Sequence, residues 1–220
     1  MGQEGTSIKL RIPKWLLVMF ALLKTFTPEE GLAEPLDHWH WRNFLPQENS
    51  LRVSYGNGIF VAVGESGAIY TSSDGTGWTS RASGTNHSLC DVAYGNSIFV
   101  VVGDGGTVLI SPDRVIWTSR ISGTGYTLSG VAFGRDTFVA VGDSGAVLTS
   151  TDGSAWIAKD SGTHQKLKRV AFGTNIFAAV GANGVILTSP DGANWAVETS
   201  GASGHLEGIV YGKNSGRSLL

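Results

Sequence analysis

Three acidic residues recur at equivalent places along the chain: Glu65, Asp104 and Asp143, each set before a Ser-Gly or Gly-Gly pair, with Ala182 in the fourth such place. Carboxylates facing one channel mouth could hold a hard cation such as calcium. Acidic residues before such pairs are also ordinary turn formers. Ala182 shows that the position does not demand charge, so no metal or other cofactor is assigned. His38 and His40 bracket Trp39 at alternating spacing, which suits either a metal pair or a polar strand edge. The single Cys90 offers a thiol, but its equivalents are Ser129, Lys168 and Glu207. A nucleophile so freely replaced argues against catalysis. No Ser/His/Asp or Cys/His constellation stands out, so the sequence favours a protein that is not an enzyme.

A second group looks better suited to recognition. Asn86-His87-Ser88, Gly125-Tyr126-Thr127, His164-Gln165-Lys166 and Ser203-Gly204-His205 occupy one loop position in four successive repeats. Residues that break an internal repeat are not needed to build it. His87, Tyr126, His164, Gln165 and His205 are therefore the candidate binding residues, with side chains able to hydrogen-bond and stack on a peptide or a sugar.

The elements that must position these residues follow from a motif that occurs four times. Ser72-Ser73-Asp74-Gly75-Thr76-Gly77-Trp78 recurs as Ser111-Pro112-Asp113-Arg114-Val115-Ile116-Trp117, Ser150-Thr151-Asp152-Gly153-Ser154-Ala155-Trp156 and Ser189-Pro190-Asp191-Gly192-Ala193-Asn194-Trp195, each Asp 39 residues after the last. Each letter has a physical reason. Asp74, Asp113, Asp152 and Asp191 can accept backbone N–H bonds from two and three residues on, and Gly supplies a positive φ. Trp78, Trp117, Trp156 and Trp195 can then bury a large ring beside the next repeat. In the third repeat, Leu128 to Phe133 and Thr137 to Val141 read as two strands, Ala146 to Ser150 as a third, and the segment around Trp156 as a fourth. The second strand is apolar throughout, which implies burial on both faces.

Four strands in each 39 residues are the signature of a β-propeller blade. The expected fold is thus all-β, with four-stranded antiparallel blades, four full repeats and a partial fifth. The motif resembles the Asp-box, or BNR, repeat of sialidases and of photosystem II assembly factor-like propellers, over roughly residues 38 to 212. Two departures exist: the usual form has one more residue between Asp and Trp, and the second copy carries Arg114 in place of Gly. The sialidase resemblance implies an arginine cluster and a Tyr nucleophile. Arg81 and Arg120 instead fall just after the motif Trp, as outer-strand surface residues would, and Leu10-Arg11-Ile12-Pro13 echoes the sialidase signature outside the repeats. A non-catalytic binding or assembly module, with a protein or glycan ligand, is therefore the first reading; a degenerate glycoside hydrolase of the sialidase type is the second.

The leucine opening each repeat stands at Leu51, Leu89, Leu128, Leu167 and Leu206, with one interval of 38 residues and three of 39. Residues 34–50 form a lead-in segment in which His40-Trp41-Arg42-Asn43 aligns with Trp78-Thr79-Ser80-Arg81. Four blades then span 51–205, and 206–220 hold one first strand and an irregular end. The chain is expected to be a truncated piece of a longer propeller, or else to complete its ring by self-association through open blade edges. The first is favoured.

Composition agrees. Gly, with 31 of 220 residues, is about twice as common as the usual roughly 7 per cent, as many tight turns require. Sixteen basic residues balance 18 acidic ones, which gives no nucleic-acid groove. Residues 1–33 read as a signal peptide: Lys9, Arg11 and Lys14 precede the apolar run from Trp15 to Leu23, too short to span a bilayer. The expected location is secreted, periplasmic or at the cell envelope. Without those residues the balance is 12 basic against 15 acidic. One cysteine allows no internal disulfide, so core and ring must hold the fold.

Overall fold

A computed structural model describes residues 52–211. The expected signal peptide, the lead-in segment with its His38 and His40, Leu51 and the last nine residues lie outside the described residues. The rest is all-β: four antiparallel four-stranded sheets, each a meander in chain order. Blade 1 comprises β1 (Arg52–Gly56), β2 (Ile59–Val63), β3 (Ile69–Ser72) and β4 (Thr79–Arg81). Blade 2 comprises β5 (Leu89–Gly95), β6 (Ile98–Gly103), β7 (Val108–Ser111) and β8 (Thr118–Arg120). Blade 3 has β9 (Leu128–Gly134), β10 (Thr137–Gly142), β11 (Val147–Ser150) and β12 (Ile157–Lys159); blade 4 has β13 (Leu167–Gly173), β14 (Ile176–Gly181), β15 (Ile186–Ser189) and β16 (Ala196–Glu198). No helix among the described residues is long and apolar enough to cross a membrane.

Within each blade the strands are called a to d in chain order. The a strands β1, β5, β9 and β13 stand side by side at one edge of their sheets. Strand b is buried on both faces, as its apolar run demands: Val61, Ala62 and Val63, and again Val100, Val101 and Val102, have no exposed surface. In β6 and β10 one face of the b strand meets the blade before it and the other the blade after. Phe99 and Val101 pack with Val61, Val63 and Ile69 of blade 1, while Val100 and Val102 pack with Phe138 and Ala140 of blade 3. A third cluster joins Val139 and Val147 of blade 3 to Phe177 and Leu187 of blade 4. Burying both faces of every sheet needs neighbours of matched shape, and the repeat supplies them.

An aromatic residue and a glycine make each junction close. Tyr94, Phe133, Phe172 and Tyr211 lay their rings over Gly56, Gly95, Gly134 and Gly173 of the preceding a strand. A Cβ on those glycines would sit 2.0 to 2.2 Å from the ring carbons, so no side chain is possible there. The rings of Tyr94, Phe133 and Phe172 also meet the strand b phenylalanine of their own blade, with centroids 4.6 Å apart for Phe133 and Phe138.

The short first interval has a local cause. In blades 2, 3 and 4 the pairing of strands a and b slips by one residue, so that Cys90, Ser129 and Lys168 are extra residues in a β-bulge. β1 and β2 pair without a break, and Arg52 faces Val63 as Asp91 faces Val102.

The Asp turns form as the motif requires. Asp191 Oδ1 accepts the N–H of Ala193 at 2.9 Å and of Asn194 at 2.8 Å; Asp74, Asp113 and Asp152 do the same two and three residues on. Gly75, Gly153 and Gly192 have φ between +71° and +76°, and Arg114 adopts +67° in their place. Two expectations are corrected. The Trp lies in the turn, and strand d begins only after it, because the indole N–H of Trp78, Trp156 and Trp195 donates to the Gly carbonyl three residues back. The rings also pack toward the preceding blade, as Trp117 does in the cluster with Val61 and Ile69, because the c–d turn leans back over that blade's b strand. Gly153 meets Ile98 and Val100 of blade 2 in the same way.

Candidate functional site

The turns between strands divide into two faces. On one, the a–b turns meet the Asp turns of the following blade: Asn96 Nδ2 donates to the Thr151 carbonyl at 2.9 Å. On the other, the d–a loops meet the b–c turns, and this face carries the candidate binding residues. Its construction repeats. Ser122 Oγ donates to the Thr124 carbonyl and accepts the Thr124 N–H; Ser83 with Thr85 and Ser161 with Thr163 match it. The threonine hydroxyl then accepts the N–H of the residue two further on: His87, Tyr126 or Gln165, each at 3.1 Å. Such side-chain bonds to nearby backbone hold a loop without a helix or ladder. The b–c turn locks to the same loop, since Asp104 N–H donates to the Ser88 carbonyl, Asp143 to Thr127 and Ala182 to Lys166.

His87, Tyr126, His164 and Gln165 thus project from this frame, His205 follows a loop in which Ala202 replaces the threonine and Ser200 donates to the Gly184 carbonyl, and all five side chains are exposed. Tyr126 is 53% exposed. Three of the others meet a b–c turn. His87 Nδ1 lies 2.8 Å from Thr107 Oγ1; Gln165 Oε1 accepts from Asn183 Nδ2 at 2.7 Å; and the Asn183 N–H points at His205 Nδ1 at 3.4 Å. The recurrent Ser-Gly-Thr at Ser83, Ser122 and Ser161 is the sequence signal for this frame, and it is absent from the motif reading above.

The acidic residues sit on this face but do not pool. Asp143 pairs with Lys166 at 2.8 Å, Asp104 accepts from Thr127 Oγ1 at 3.3 Å, and Glu65 is exposed. Among the described residues no group of three His, Cys, Asp or Glu side chains could hold a metal ion. Asp104 and Asp143 each engage the loop beside them instead. Arg81 and Arg120 lie on the outermost strands, bonded to Thr71 Oγ1 and Ser154 Oγ. Both are far in topology from the a strands.

The a strands carry a charged set that motif reading missed. Arg52, Asp91 and Arg169 occupy one position in blades 1, 2 and 4, and Gly130 occupies it in blade 3. Asp91 Oδ2 accepts the Val131 N–H at 3.0 Å, and Arg169 Nη1 donates to the Ser129 carbonyl, so side chains stitch blade 3 to both neighbours. Gly130 leaves room: a Cβ there would lie 3.1 Å from Arg169 Cα. Burial raises the Asp91 pKa, opposed by the Val131 N–H and the Arg169 charge. Burial also lowers that of Arg169, with Arg52 adding repulsion. The Cys90 thiol beside them is pushed up to about 11, by burial first and then by Asp104, 3.8 Å away, so it stays protonated at neutral pH.

No protein-family model matches the chain, and no curated protein matches it. Solved structures do. "YCF48 from Cyanidioschyzon merolae" is 20% identical with a TM-score of 0.58, over 71% of this chain and 58% of that one. The chain has the YCF48 propeller fold. A second structure, "YCF48 bound to D1 peptide", is also 20% identical, with a TM-score of 0.53 over 72% of this chain and 56% of the other. The present chain therefore spans a little over half the length of these YCF48 chains.

Proposed function

We propose that this chain is an exported, non-catalytic propeller of the Asp-box type that binds an extended polypeptide on the face of the d–a loops. The observation that carries this is the contrast on that face between a repeated frame and unrepeated tips. Ser-Gly-Thr loops and b–c turns are braced in the same way blade after blade, while the exposed tips change from His87 to Tyr126 to Gln165. A preorganised frame lowers the cost of binding, and aromatic and amide tips supply specificity. Support for a polypeptide over a glycan comes from the similar YCF48 structure bound to D1 peptide.

A peptide array and a glycan array probed side by side test the reading. Selective peptide hits are expected, weakened about tenfold or more, ~1.4 kcal/mol, when Tyr126 and His87 are both changed to Ala. Hits confined to glycans, or turnover of a fluorogenic sialoside, would overturn it. Export is tested by sequencing the N-terminus of the protein recovered from outside the cytoplasm.

A further inference from the structure

The tip at His87 departs from the repeat together with the turn beneath it. Asp104-Gly105-Gly106-Thr107 stands where the other blades have Glu65-Ser66-Gly67-Ala68, Asp143-Ser144-Gly145-Ala146 and Ala182-Asn183-Gly184-Val185. Blade 2 thus has a glycine where the others have Ser or Asn, and a hydroxyl where they have Ala or Val. Both departures meet the His87 ring. The backbone does not require glycine at 105, because Ser66, Ser144 and Asn183 hold the same left-handed conformation, with φ of 54° to 56° against 61°. The ring does: a Cβ on Gly105 would lie 3.1 Å from His87 Cε1 and 3.4 Å from Nδ1, so a side chain there would push the imidazole aside.

Thr107 fixes what the ring presents. Its Oγ1 lies 2.6 Å from the Asp104 carbonyl and 2.8 Å from His87 Nδ1. A carbonyl has no proton to give, so the single hydroxyl proton lies between Oγ1 and that carbonyl. Oγ1 then meets Nδ1 only as an acceptor, and Nδ1 must carry a proton. In a neutral imidazole the other nitrogen, Nε2, is left as the acceptor. Among the described residues no group bonds Nε2, and His87 is exposed. His205 is wired the other way: its Nδ1 faces the Asn183 N–H at 3.4 Å, and a backbone N–H can only donate, so there Nε2 carries the proton. The chain is pinned on both sides of the His87 ring, since its own N–H goes to Thr85 Oγ1 at 3.1 Å and the Ser88 carbonyl takes the Asp104 N–H at 2.9 Å. An open groove of about 460 Å³ is lined by Gly105 and Thr107 of this seat and by Ile121, Thr124 and Gly125 of the loop that carries Tyr126. That is room for a few residues of extended chain.

We infer that His87 is a specificity-determining residue, locked as the Nδ1–H tautomer, whose Nε2 accepts a backbone N–H of the polypeptide bound on this face. Gly105 and Thr107 act through His87 and are positioning residues. The ligand in this inference rests on the polypeptide reading above, whereas the tautomer stands on the chain alone. A lone pair held in this place selects a donor and turns away a group that brings only lone pairs of its own, such as a carboxylate or a tertiary amide.

Long-range proton–nitrogen correlation spectra of the imidazoles in the full 220-residue protein, at about pH 8 where an ordinary imidazole is neutral, test the tautomer without ligand. His87 is expected as Nδ1–H and His205 as Nε2–H. Thr107→Ser should keep the His87 signature and Thr107→Val should lose it, with an unchanged His205 signal as the check on folding. Nε2–H at His87 in the wild type, or an unchanged His87 signal in Thr107→Val, overturns the proposal. The partner group is tested with the strongest peptide from the array and copies of it N-methylated at one backbone nitrogen each. At one position the loss is expected to be about threefold to tenfold, to vanish in His87→Ala and Thr107→Val, and to persist in Thr107→Ser. If every N-methylation costs the same in wild type and His87→Ala, the N–H assignment falls. An array with no peptide hit sinks the function proposed above and the N–H partner with it, while the spectra still decide the tautomer.

Discussion

At the scale of the residue, the Asp turns show how a charge serves a fold. The Asp191 carboxylate takes the Asn194 and Ala193 N–H groups and the Asn194 amide, and these bonds hold its pKa well below the usual range. A pKa lowered by folding contributes stability above the ordinary value, about 4, and that stability is lost as pH falls further. Asp191→Asn keeps the shape and loses the charge. The gap in unfolding temperature between wild type and variant is expected to be full at pH 6 and to close below about pH 4, measured by thermal unfolding from pH 2 to 7. Parallel curves would sink the idea. Arg114 makes the opposite case, for it holds the left-handed conformation that Gly holds in the other three turns. Its Nη1 reaches the Asn57 carbonyl at only 3.4 Å, and the buried Trp117 indole N–H meets no acceptor. Arg114→Gly should therefore stabilise the protein by about 1 kcal/mol, read from the denaturant midpoint; a loss would mean that the Asn57 contact outweighs the strain.

At the scale of the element, the aromatic over glycine decides how close two a strands come. A methyl group on Gly95 would lie 2.1 Å from Phe133 Cγ, and neither a buried ring nor a strand backbone can yield that far. Gly95→Ala is expected to cost about 2 to 3 kcal/mol, whereas Gly125→Ala, with nothing within 4 Å of its Cβ, should stay within about 0.5 kcal/mol. Equilibrium urea unfolding compares the two. Strand order and the b strands were legible in the sequence, since a Phe-Val-Ala-Val run says "buried on both faces" wherever it stands. The bulge was visible as a variable position at Cys90, Ser129 and Lys168 and as the one interval of 38 residues. Its meaning needed the register, because an extra residue in a ladder looks like any other residue in a string. Asp91 and Arg169 escaped for a related reason. They act across blades, bonding backbone 40 residues away, and no local pattern marks such partners.

At the scale of the molecule, the four blades form a one-dimensional stack in which each sheet is buried by its neighbours. Among the described residues, blades 2 and 3 have a full neighbour on both sides, while the outer side of blade 4 meets residues 206–211. Amide hydrogen exchange should follow this order. Protection is expected to be greatest in β6 and β10 and weaker in β14, because local opening of blade 4 exposes less new apolar surface. Uniform protection across the three strands would show the stack to unfold as one unit.

The sequence by itself determined the repeat, and with it the blade, its four strands and the Asp turn, because these depend on spacings within about 39 residues. It also marked the loop positions that vary, which the structure places on one face of the sheets. Only the tertiary structure decided that the motif Trp leans on the preceding blade, that Asp104 and Asp143 engage separate loops, and that Arg52, Asp91 and Arg169 share one position on the a strands. The reason is physical: a repeat encodes what each blade does for itself, whereas direction, pairing and burial between blades are set by stacking one sheet on the next.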